Sequence, residues 1–479
     1  MLHVESLPLS IGGRAHAAVA SRVVRSPWDG RVVGRAAVAG EGVLDAALDA
    51  AVRAAPAMAA LPGHARARAL TTAAQRLSEK ADRFAALIRD EGGKPIRYAR
   101  GEVERGVRTF EAAAGEAVRI HGEAPALDSA PQGERRVALL RRHPLGVVAA
   151  ITPFNFPLNL AIHKVAPALA AGNAVVLKPS ERVPLTGLAL GELLDGCGFP
   201  AGAVNVVVGE DTSLGARLVE DPRPAAVSFT GSPAVGWALR AKAGTKRVTL
   251  ELGGNAAVVV DRTADLADAA SRTAEAAFAH AGQVCISVQR VFVHEGVFAR
   301  FRDLLLAKIR RDIVTGDPAD PMTVVGPMIT TEAADRVEAW VAAAEARGAR
   351  VTRFGARAGT LLHPMVVEGA PRDADVHVKE IFGPVLTLDS VPTFDEGLAR
   401  ADDTAYGLQA GVFTQDLDAA LEAERRLTVG AVIVNDAPTW RVDTMPYGGE
   451  RLSGLGREGV HEAVLSFTRP RLLVIRRNS

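Results

Sequence analysis

Short apolar runs alternate with helical segments between residues 146 and 260, and this alternation constrains the fold more than any other feature of the chain. Each run is bounded by glycine or proline, as strands of a buried sheet are. Strand–helix–strand alternation predicts a parallel sheet with helices on both faces. The apolar runs are Gly146–Thr152, Ala174–Lys178, Val204–Val208, Ala226–Phe229, Arg247–Leu252 and Ala256–Val260, and the helices between them are Leu185–Gly196, Ser213–Glu220 and Ala234–Ala243.

The flanking regions extend this pattern. Residues 43–90 have helical periodicity and a further helix is predicted over 96–117, whereas the alternation restarts after Asp261 and continues to Val434, which indicates a second α/β domain. The runs Glu134–Arg142 and Leu465–Arg476 resemble strands that belong to neither domain. We expect them to pair with each other and to extend a sheet of a neighbouring subunit, or else to form a local hairpin.

Charge and cysteine content exclude several classes of protein. The 479 residues carry 56 basic and 55 acidic side chains, so no electrostatic attraction to nucleic acid is expected. The longest uncharged run, Pro144–Ile162, contains three prolines and two asparagines and is not expected to span a membrane. With two cysteines there is no disulfide framework, which favours a reducing cytoplasm, and no metal site is expected.

One of those cysteines lies in a context that suggests chemistry. Cys285 stands in the segment Gly-Gln-Val-Cys-Ile-Ser after an alanine-rich helix, and Glu251 precedes the turn Leu-Gly-Gly-Asn. A thiol that attacks a carbonyl needs a nearby carboxylate to move protons or water. If the two side chains meet in space, they predict covalent catalysis.

Two strand ends could bind a nucleotide. Gly231 and Ser232 close a strand and open a helix, where a hydroxyl can face a phosphate, and Lys178 with Glu181 follows another strand, where both could bind ribose hydroxyls. Taken singly, each feature is a weak signal, and ordinary helix capping is the better explanation of Gly231 and Ser232 alone.

Taken together and in order, the motifs resemble those of the NAD(P)-dependent aldehyde dehydrogenase superfamily, from about Ser26 to the C-terminus. The motifs that carry the resemblance are Pro153–Pro157, Lys178–Glu181, Phe229–Ser232, Glu251–Asn255, Gly282–Cys285, Glu380–Pro384 and Pro446–Gly449. The resemblance implies an α/β fold with a Rossmann-like parallel-sheet cofactor domain (residues 1–120 and 143–250), an α/β catalytic domain (251–445) and a small β oligomerisation domain (121–142 and 446–479). It also implies a homodimer or homotetramer.

The resemblance further implies an aldehyde oxidation. Cys285 would attack the aldehyde as a thiolate, with the Asn155 amide and the Cys285 backbone N–H holding the oxyanion. Hydride would pass to the nicotinamide, and Glu251 would activate the water that hydrolyses the thioester. The cofactor would be held by Thr152, Pro153, Phe154, Lys178, Ser180, Glu181, Gly209, Phe229, Gly231, Ser232, Gly236, Leu252, Gly253, Glu380 and Phe382. A carboxylate at Glu181 favours NAD over NADP, because it would repel a 2′-phosphate.

The identity of the aldehyde is less constrained. By alignment of the motifs, the substrate would lie near Arg105, Phe156, His163, Val284, Ile286, Trp440, Arg441 and Tyr447. Arg105 and Arg441 could clamp a carboxylate or phosphate, or could be engaged in salt bridges with Glu104 or Asp443. We expect a small oxygenated or anionic aldehyde, similar to lactaldehyde or a semialdehyde. Aromatic or aliphatic aldehydes, a CoA-acylating reaction and a non-catalytic binding role stay open as alternatives.

Overall fold

The computed structural model of the protein describes residues 5–16 and 20–477 and divides their strands among four sheets. The strands are β1 (Glu5–Leu7), β2 (Leu9–Ile11), β3 (Arg14–His16), β4 (Ala20–Arg25), β5 (Val32–Val38), β6 (Arg136–Pro144), β7 (Val147–Ile151), β8 (Ala174–Lys178), β9 (Val204–Val206), β10 (Ala226–Thr230), β11 (Arg247–Glu251), β12 (Ala257–Val260), β13 (Arg290–His294), β14 (Arg350–Arg353), β15 (Met365–Glu368), β16 (Val385–Val391), β17 (Gln409–Phe413), β18 (Ala431–Val434), β19 (Gly454–Leu455) and β20 (Thr468–Arg476).

The helices cover both large sheets. They are α1 (Val43–Ala60), α2 (Gly63–Glu79), α3 (Ala81–Gly92), α4 (Ile96–Ala117), α5 (Asn159–Ala170), α6 (Pro184–Leu194), α7 (Ser213–Glu220), α8 (Pro233–Lys242), α9 (Leu266–Phe278), α10 (Glu295–Asp312), α11 (Thr331–Ala346), α12 (Asp375–Val378), α13 (Phe394–Asp402), α14 (Leu417–Arg426) and α15 (Val460–Ser466).

The first large sheet has the strand order β19-β11-β10-β7-β8-β9-β2-β3, and β11 to β9 run parallel. The parallel α/β arrangement predicted from the sequence is therefore confirmed. Every residue of β7, β8 and β10 is buried, as expected of strands covered by helices on both faces. Ile151, Lys178, Phe229 and Glu251 lie at the carboxyl edge of this sheet, where open α/β sheets bind ligands.

The second large sheet has the order β14-β15-β16-β13-β12-β17-β18 and is parallel except for β14. It has its own apolar core beneath α9, α10 and α11. The residues before β12 and β13, which include Glu251 and Cys285, thus lie between the carboxyl edge of the first sheet and the amino edge of the second.

The predicted pairing of the two outlying strands is confirmed. β6 and β20 form an antiparallel ribbon from Thr468↔Pro144 to Arg476↔Arg136. We call this ribbon, residues 136–144 and 468–476, the two-stranded ribbon. Leu472, Leu473 and Ile475 are each exposed by almost half of their surface.

Several details differ from the expectation. The helical region 43–90 is three helices, because the chain turns at Leu61–Pro62 and at Lys80. The short N-terminal strands β1–β5 were not foreseen. The segment 446–479 does not lie wholly in the ribbon, since β19 pairs with β11 and α15 packs on α4 and α5. The division into domains at residues 120, 143, 250 and 445 stays a prediction.

Across the described residues, no helix combines the length and the apolar character that crossing a membrane requires.

Candidate active site

Cys285 is presented on a left-handed turn that follows α9. His280, Ala281 and Gly282 have φ angles of 52°, 57° and 67°, which reverse the chain before the thiol. At Gly282 a Cβ atom would come within 2.2 Å of the Gly383 carbonyl oxygen, so this close approach requires glycine. The turn places the thiol at the boundary between the two large sheets.

Asn155 is joined directly to the thiol loop. Its side-chain Nδ2 donates to the Gln283 carbonyl oxygen over 2.9 Å, two residues before Cys285. Gln283 is itself held, because its side chain accepts from the Ile329 N–H and donates to the Pro327 carbonyl. An amide nitrogen carries two N–H groups, so one is left for an oxyanion. The structure thus brings Asn155 and Cys285 together as predicted, while the oxyanion role stays a prediction.

Glu251 ends β11 as a buried carboxyl group. Among the described residues neither of its oxygens has a hydrogen-bond partner. Burial, followed by the nearby Glu458 carboxylate, raises its pKa well above the ordinary value, against the opposing charges of Lys164 and Arg441. Lys164 is buried too and is paired with Glu458. A carboxyl group with a raised pKa and no partner is suited to exchange protons with water or a thiol.

The thiol of Cys285 is in contact with one hydroxyl group. The Tyr447 hydroxyl lies 3.2 Å from Sγ. Burial raises the pKa of Cys285 to about 11, and the Tyr447 hydrogen bond is the first effect that opposes this rise. The Arg441 guanidinium lies over the Tyr447 ring, 3.7 Å from its centroid.

Arg105 does not face the site as a free cation. Its Nε and Nη2 donate to both oxygens of Asp443, over 3.1 and 2.7 Å. Asp443 also accepts from Asn159 Nδ2 over 3.1 Å and lies 2.8 Å from His163 Nε2. Burial alone would raise the pKa of Asp443, but the hydrogen bonds from His163 and Arg105 hold it well below its usual range. Of the two alternatives for Arg105, the structure therefore supports the salt bridge with Asp443 and not a free guanidinium that clamps an anion.

Arg441 differs from Arg105. No carboxylate of the described residues lies within ion-pair distance of Arg441; its Nη2 is 3.5 Å from His163 Nε2 and its buried Nε has no partner there. Burial lowers the pKa of His163, so that the imidazole next to it is neutral. Among the described residues Arg441 is thus a cation without a paired carboxylate, and it lies over the Tyr447 ring whose hydroxyl contacts the thiol.

The remaining residues predicted at the substrate lie at different depths. Both Lys94 and Arg105 contact the Phe156 ring, with Nζ of Lys94 3.4 Å and Cζ of Arg105 5.8 Å from its centroid. Val284 and Ile286 pack beside the thiol against Leu408 and Tyr447. Trp440 is 49% exposed and lies at the surface.

On the other side of the thiol loop lies the region expected to hold the nicotinamide ribose. Glu380 Oε1 accepts from the Gly254 N–H over 3.0 Å. A Cβ atom at Gly253 would come within 2.1 Å of Glu380 Oε2, so the carboxylate rests directly on the glycine backbone. Phe154 and Phe382 meet edge to face at 5.9 Å.

The region expected to hold the adenosine half is formed by the carboxyl edge of the first sheet. Lys178 and Glu181 form an ion pair, and the buried Thr152 hydroxyl has no hydrogen-bond partner within the part of the chain that the structure describes. Ser232 occupies the N-cap position of α8 as predicted, but its side chain makes no capping hydrogen bond and is left free for another acceptor or donor. Ser180 and Gly209 follow the ends of β8 and β9.

Close packing fixes the start of α8. Cβ atoms at Gly231 and Gly236 would lie 2.6 and 2.4 Å from the side chains of Phe229 and Leu252. The glycines therefore let the helix start approach the strand ends, as dinucleotide-binding turns require.

Sequence reasoning missed three buried polar residues of the site. Lys164 lies on α5, which is fully buried and apolar apart from Asn159 and His163, and a lysine in such a helix was the available signal. Asp443 was considered only as a partner for an arginine, and Gln283 only as part of the motif. Over residues 5–16 and 20–477, histidine, cysteine and acidic side chains form no group that could hold a metal ion.

The chain is similar to several known proteins in sequence and in fold. The sequence model of the aldehyde dehydrogenase family matches residues 16–473. The 3-sulfolactaldehyde dehydrogenase of Priestia megaterium is 45% identical over 406 residues, which are 85% of each chain. The structure of aldehyde dehydrogenase 21 from Physcomitrella patens in complex with the product succinate superposes with a TM-score of 0.96 at 37% identity and 99% coverage of both chains. The NADP-dependent glyceraldehyde-3-phosphate dehydrogenase of Bacillus halodurans, solved with NADP, gives a TM-score of 0.95 at 32% identity, covering 98% of this chain and 99% of its own.

Proposed function

This chain belongs to the aldehyde dehydrogenase family, and from that premise we propose that it oxidises a small aldehyde bearing an anionic or hydroxyl group, with NAD as the preferred cofactor. The enzyme is an NAD(P)-dependent aldehyde dehydrogenase. The observation that carries the substrate proposal is Arg441, which has no carboxylate within ion-pair distance among the described residues and stacks on Tyr447 beside the thiol.

The proposed reaction uses three side chains. Cys285 attacks the aldehyde carbon, and the free N–H of the Asn155 amide, together with the Cys285 backbone N–H, binds the oxyanion that forms. Glu251 takes the thiol proton and later activates the water that hydrolyses the thioester. Its buried carboxyl group, which has no hydrogen-bond partner among the described residues, supports this role, because a carboxylate whose pKa is raised is a stronger base toward a thiol or a water molecule than an exposed one.

The residues present fit a nicotinamide dinucleotide. Glu380, resting on Gly253, would hold the nicotinamide ribose, and the free Ser232 hydroxyl at the start of α8 would face a phosphate. Lys178 and Glu181 would hold the adenosine ribose. When bound, the cofactor accepts the hydride from the aldehyde carbon.

The anionic character of the substrate follows from the charges of the pocket. Arg105 is paired with Asp443 and the pKa of His163 is lowered by burial, so that, of these three groups, Arg441 keeps a positive charge that no carboxylate of the described residues pairs with. Proteins similar to this chain act on 3-sulfolactaldehyde or bind succinate, both of which carry an anionic group. A guanidinium binds carboxylate, sulfonate and phosphate oxygens alike.

The experiment compares two aldehydes of equal length, succinic semialdehyde and its uncharged methyl-terminated analogue, in the wild type and in Arg441→Gln. We expect kcat/KM for the carboxylated aldehyde to fall about 30- to 1000-fold, because a hydrogen-bonded charge partner is worth about 2–4 kcal/mol. For the uncharged aldehyde kcat/KM should fall about tenfold less than this, because that reaction loses only the positive charge that Arg441 adds near the thiol.

The matched control is Arg310→Gln, which removes another arginine stacked on an aromatic ring, that of Phe354, away from the thiol. It should change neither substrate. If Arg441→Gln lowers kcat/KM equally for both aldehydes, the anionic substrate class is wrong. If CoA accelerates turnover and acyl-CoA accumulates, the hydrolytic reaction is wrong.

The preference for NAD rests on Glu181. Its carboxylate at the adenosine ribose would repel a 2′-phosphate, although the ion pair with Lys178 reduces this repulsion. We expect kcat/KM to be higher with NAD than with NADP. Glu181→Gln should lower the ratio of these two kcat/KM values. Equal ratios before and after the substitution would contradict the role of Glu181.

We also propose a homo-oligomer assembled through the two-stranded ribbon, because an isolated ribbon with a run of exposed apolar residues gains stability by pairing or packing with another copy. A reducing compartment such as the cytoplasm suits the free thiol of Cys285.

A further inference from the structure

Tyr447 is held in place through both its ring and its backbone. Its ring is 4% exposed and packs against Ile286 and Leu408, the neighbours of the thiol loop. Its backbone N–H donates to the Glu458 carbonyl oxygen over 2.8 Å. Both the ring and the backbone are therefore held, so the direction of the hydroxyl is set by the fold.

That direction is toward the nucleophile. The hydroxyl oxygen lies 3.2 Å from Cys285 Sγ, within hydrogen-bond distance for sulfur, and it is the hydrogen bond that Sγ makes among the described residues. While the thiol is neutral, either group can donate. Once sulfur is a thiolate, it can only accept, so the phenol must be the donor.

The charges around the pair favour this arrangement. Burial and then the neighbouring Cys285 raise the pKa of Tyr447 well above its usual value, so the phenol keeps its proton and does not act as a base. The Arg441 guanidinium over the ring draws electron density toward itself and adds a positive charge near the thiolate. Because burial disfavours the thiolate, a hydrogen-bond donor held next to Sγ can offset part of that effect.

We propose that Tyr447 is a catalytic residue, whose hydroxyl donates a hydrogen bond to the Cys285 thiolate and holds the nucleophile charged and oriented until the aldehyde arrives. This proposal rests on the proposed function, in which Cys285 is the nucleophile. The thiol proton goes to Glu251, and the phenol proton stays on Tyr447. The thiolate electron pair becomes the new carbon–sulfur bond, while the carbonyl π pair moves to oxygen as the oxyanion.

The test measures the thiol without any aldehyde. The full-length enzyme is alkylated with iodoacetamide over a range of pH, and modification of Cys285 is followed by peptide mass spectrometry, which separates it from Cys197. In Tyr447→Phe the ring and its packing are kept, and only the hydroxyl is lost. We expect the midpoint of the pH profile to move up by about one unit or more, because a hydrogen bond to a charged group is lost.

The plateau of the profile at high pH separates this effect from a structural one. A thiolate released from its hydrogen bond is a stronger nucleophile, so the plateau rate should stay the same or rise, while the rate at pH 7 falls about threefold or more. A 3-fluorotyrosine introduced at position 447 keeps the hydroxyl with a more acidic proton and should move the midpoint down.

The control is Tyr98→Phe, which removes a hydroxyl that is hydrogen-bonded to Glu275 and not to the thiol. Its profile should match the wild type. An unchanged midpoint in Tyr447→Phe overturns the proposal, whatever happens to KM for the aldehyde. Failure of the proposed function would look different, because Cys285→Ala would then still oxidise aldehydes.

Discussion

Replacing Lys94 by methionine tests how the chain segment that carries Asn155 is held in place. Lys94 and Glu102 form a fully buried ion pair, with 1% and 0% of their side chains exposed. The other oxygen of Glu102 accepts from the backbone N–H groups of Leu158 and Asn159, over 2.9 and 3.1 Å. These N–H groups begin α5, a few residues after Asn155. The pair is therefore connected by hydrogen bonds to the segment that carries the predicted oxyanion donor.

The expected cost follows from the burial. Without Lys94, the Glu102 carboxylate stays buried with only backbone donors, and breaking a buried pair by removing one partner costs about 3–5 kcal/mol. The contact of the Lys94 ammonium with the Phe156 ring, at 3.4 Å from its centroid, is lost as well. We also expect kcat to fall by up to about 100-fold, since a displacement of the catalytic amide by about 1 Å is enough for such a loss.

The assay is a double-mutant cycle of Lys94→Met and Glu102→Gln, followed by urea unfolding at pH 7 and by steady-state rates. The double variant should be more stable than the sum of the single changes implies, because it leaves no unpaired charge. The control is Lys308→Met, which breaks the partly exposed pair with Asp312 and should cost about 0.2–1 kcal/mol. The reasoning is refuted if Lys94→Met costs less than about 1 kcal/mol and the cycle is additive.

Three further predictions follow from the site and the ribbon. Glu251→Gln should release a burst of close to one equivalent of reduced cofactor per active site and then reach a steady-state rate about 100-fold or more below that of the wild type. Because the pKa of Glu251 is raised, wild-type turnover should increase with pH as Glu251 loses its proton, and stopped-flow absorbance should show that the variant lacks this increase. Asp443→Asn frees the charge of Arg105 and should lower KM about tenfold for a doubly charged phosphorylated aldehyde but not for an uncharged one. If steady-state kinetics show that the ratio of the two KM values is the same in the variant and in the wild type, this prediction is contradicted. Leu473→Asp in the two-stranded ribbon should reduce the sedimentation coefficient to that of a smaller assembly, and an unchanged coefficient would exclude the ribbon as the interface.

The buried strands were predictable because their whole surface is apolar. The strand Ala174–Lys178 has the bounds that the sequence predicts, since turn residues flank it, and the helix Ser213–Glu220 has its predicted bounds as well. The strands β1 and β3 could not be foreseen in this way. Each has three residues, and their pairing with β5 and β2 depends on contacts that local periodicity does not encode.

The proposed catalytic set of Cys285, Glu251 and Asn155 comes from the order and the spacing of the motifs and needs no knowledge of the fold. The orientation of Tyr447 was not predictable in this way. In the sequence it is one aromatic residue among several, suited to lining an apolar pocket. Only the folded chain shows that its hydroxyl, rather than its ring, is the group nearest to sulfur.

The charge of the proposed substrate pocket cannot be deduced by counting the charged residues that the sequence places there. Arg105 and Arg441 are equivalent in the sequence, and both could have bound an anion. In the fold Asp443, which is only two positions from Arg441, binds the distant Arg105 instead, 338 residues away along the chain. It also binds His163, which leaves Arg441 unneutralised. The net charge that a substrate meets is therefore decided by which carboxylate reaches which cation, and Asp443 is the residue at which that charge can be changed.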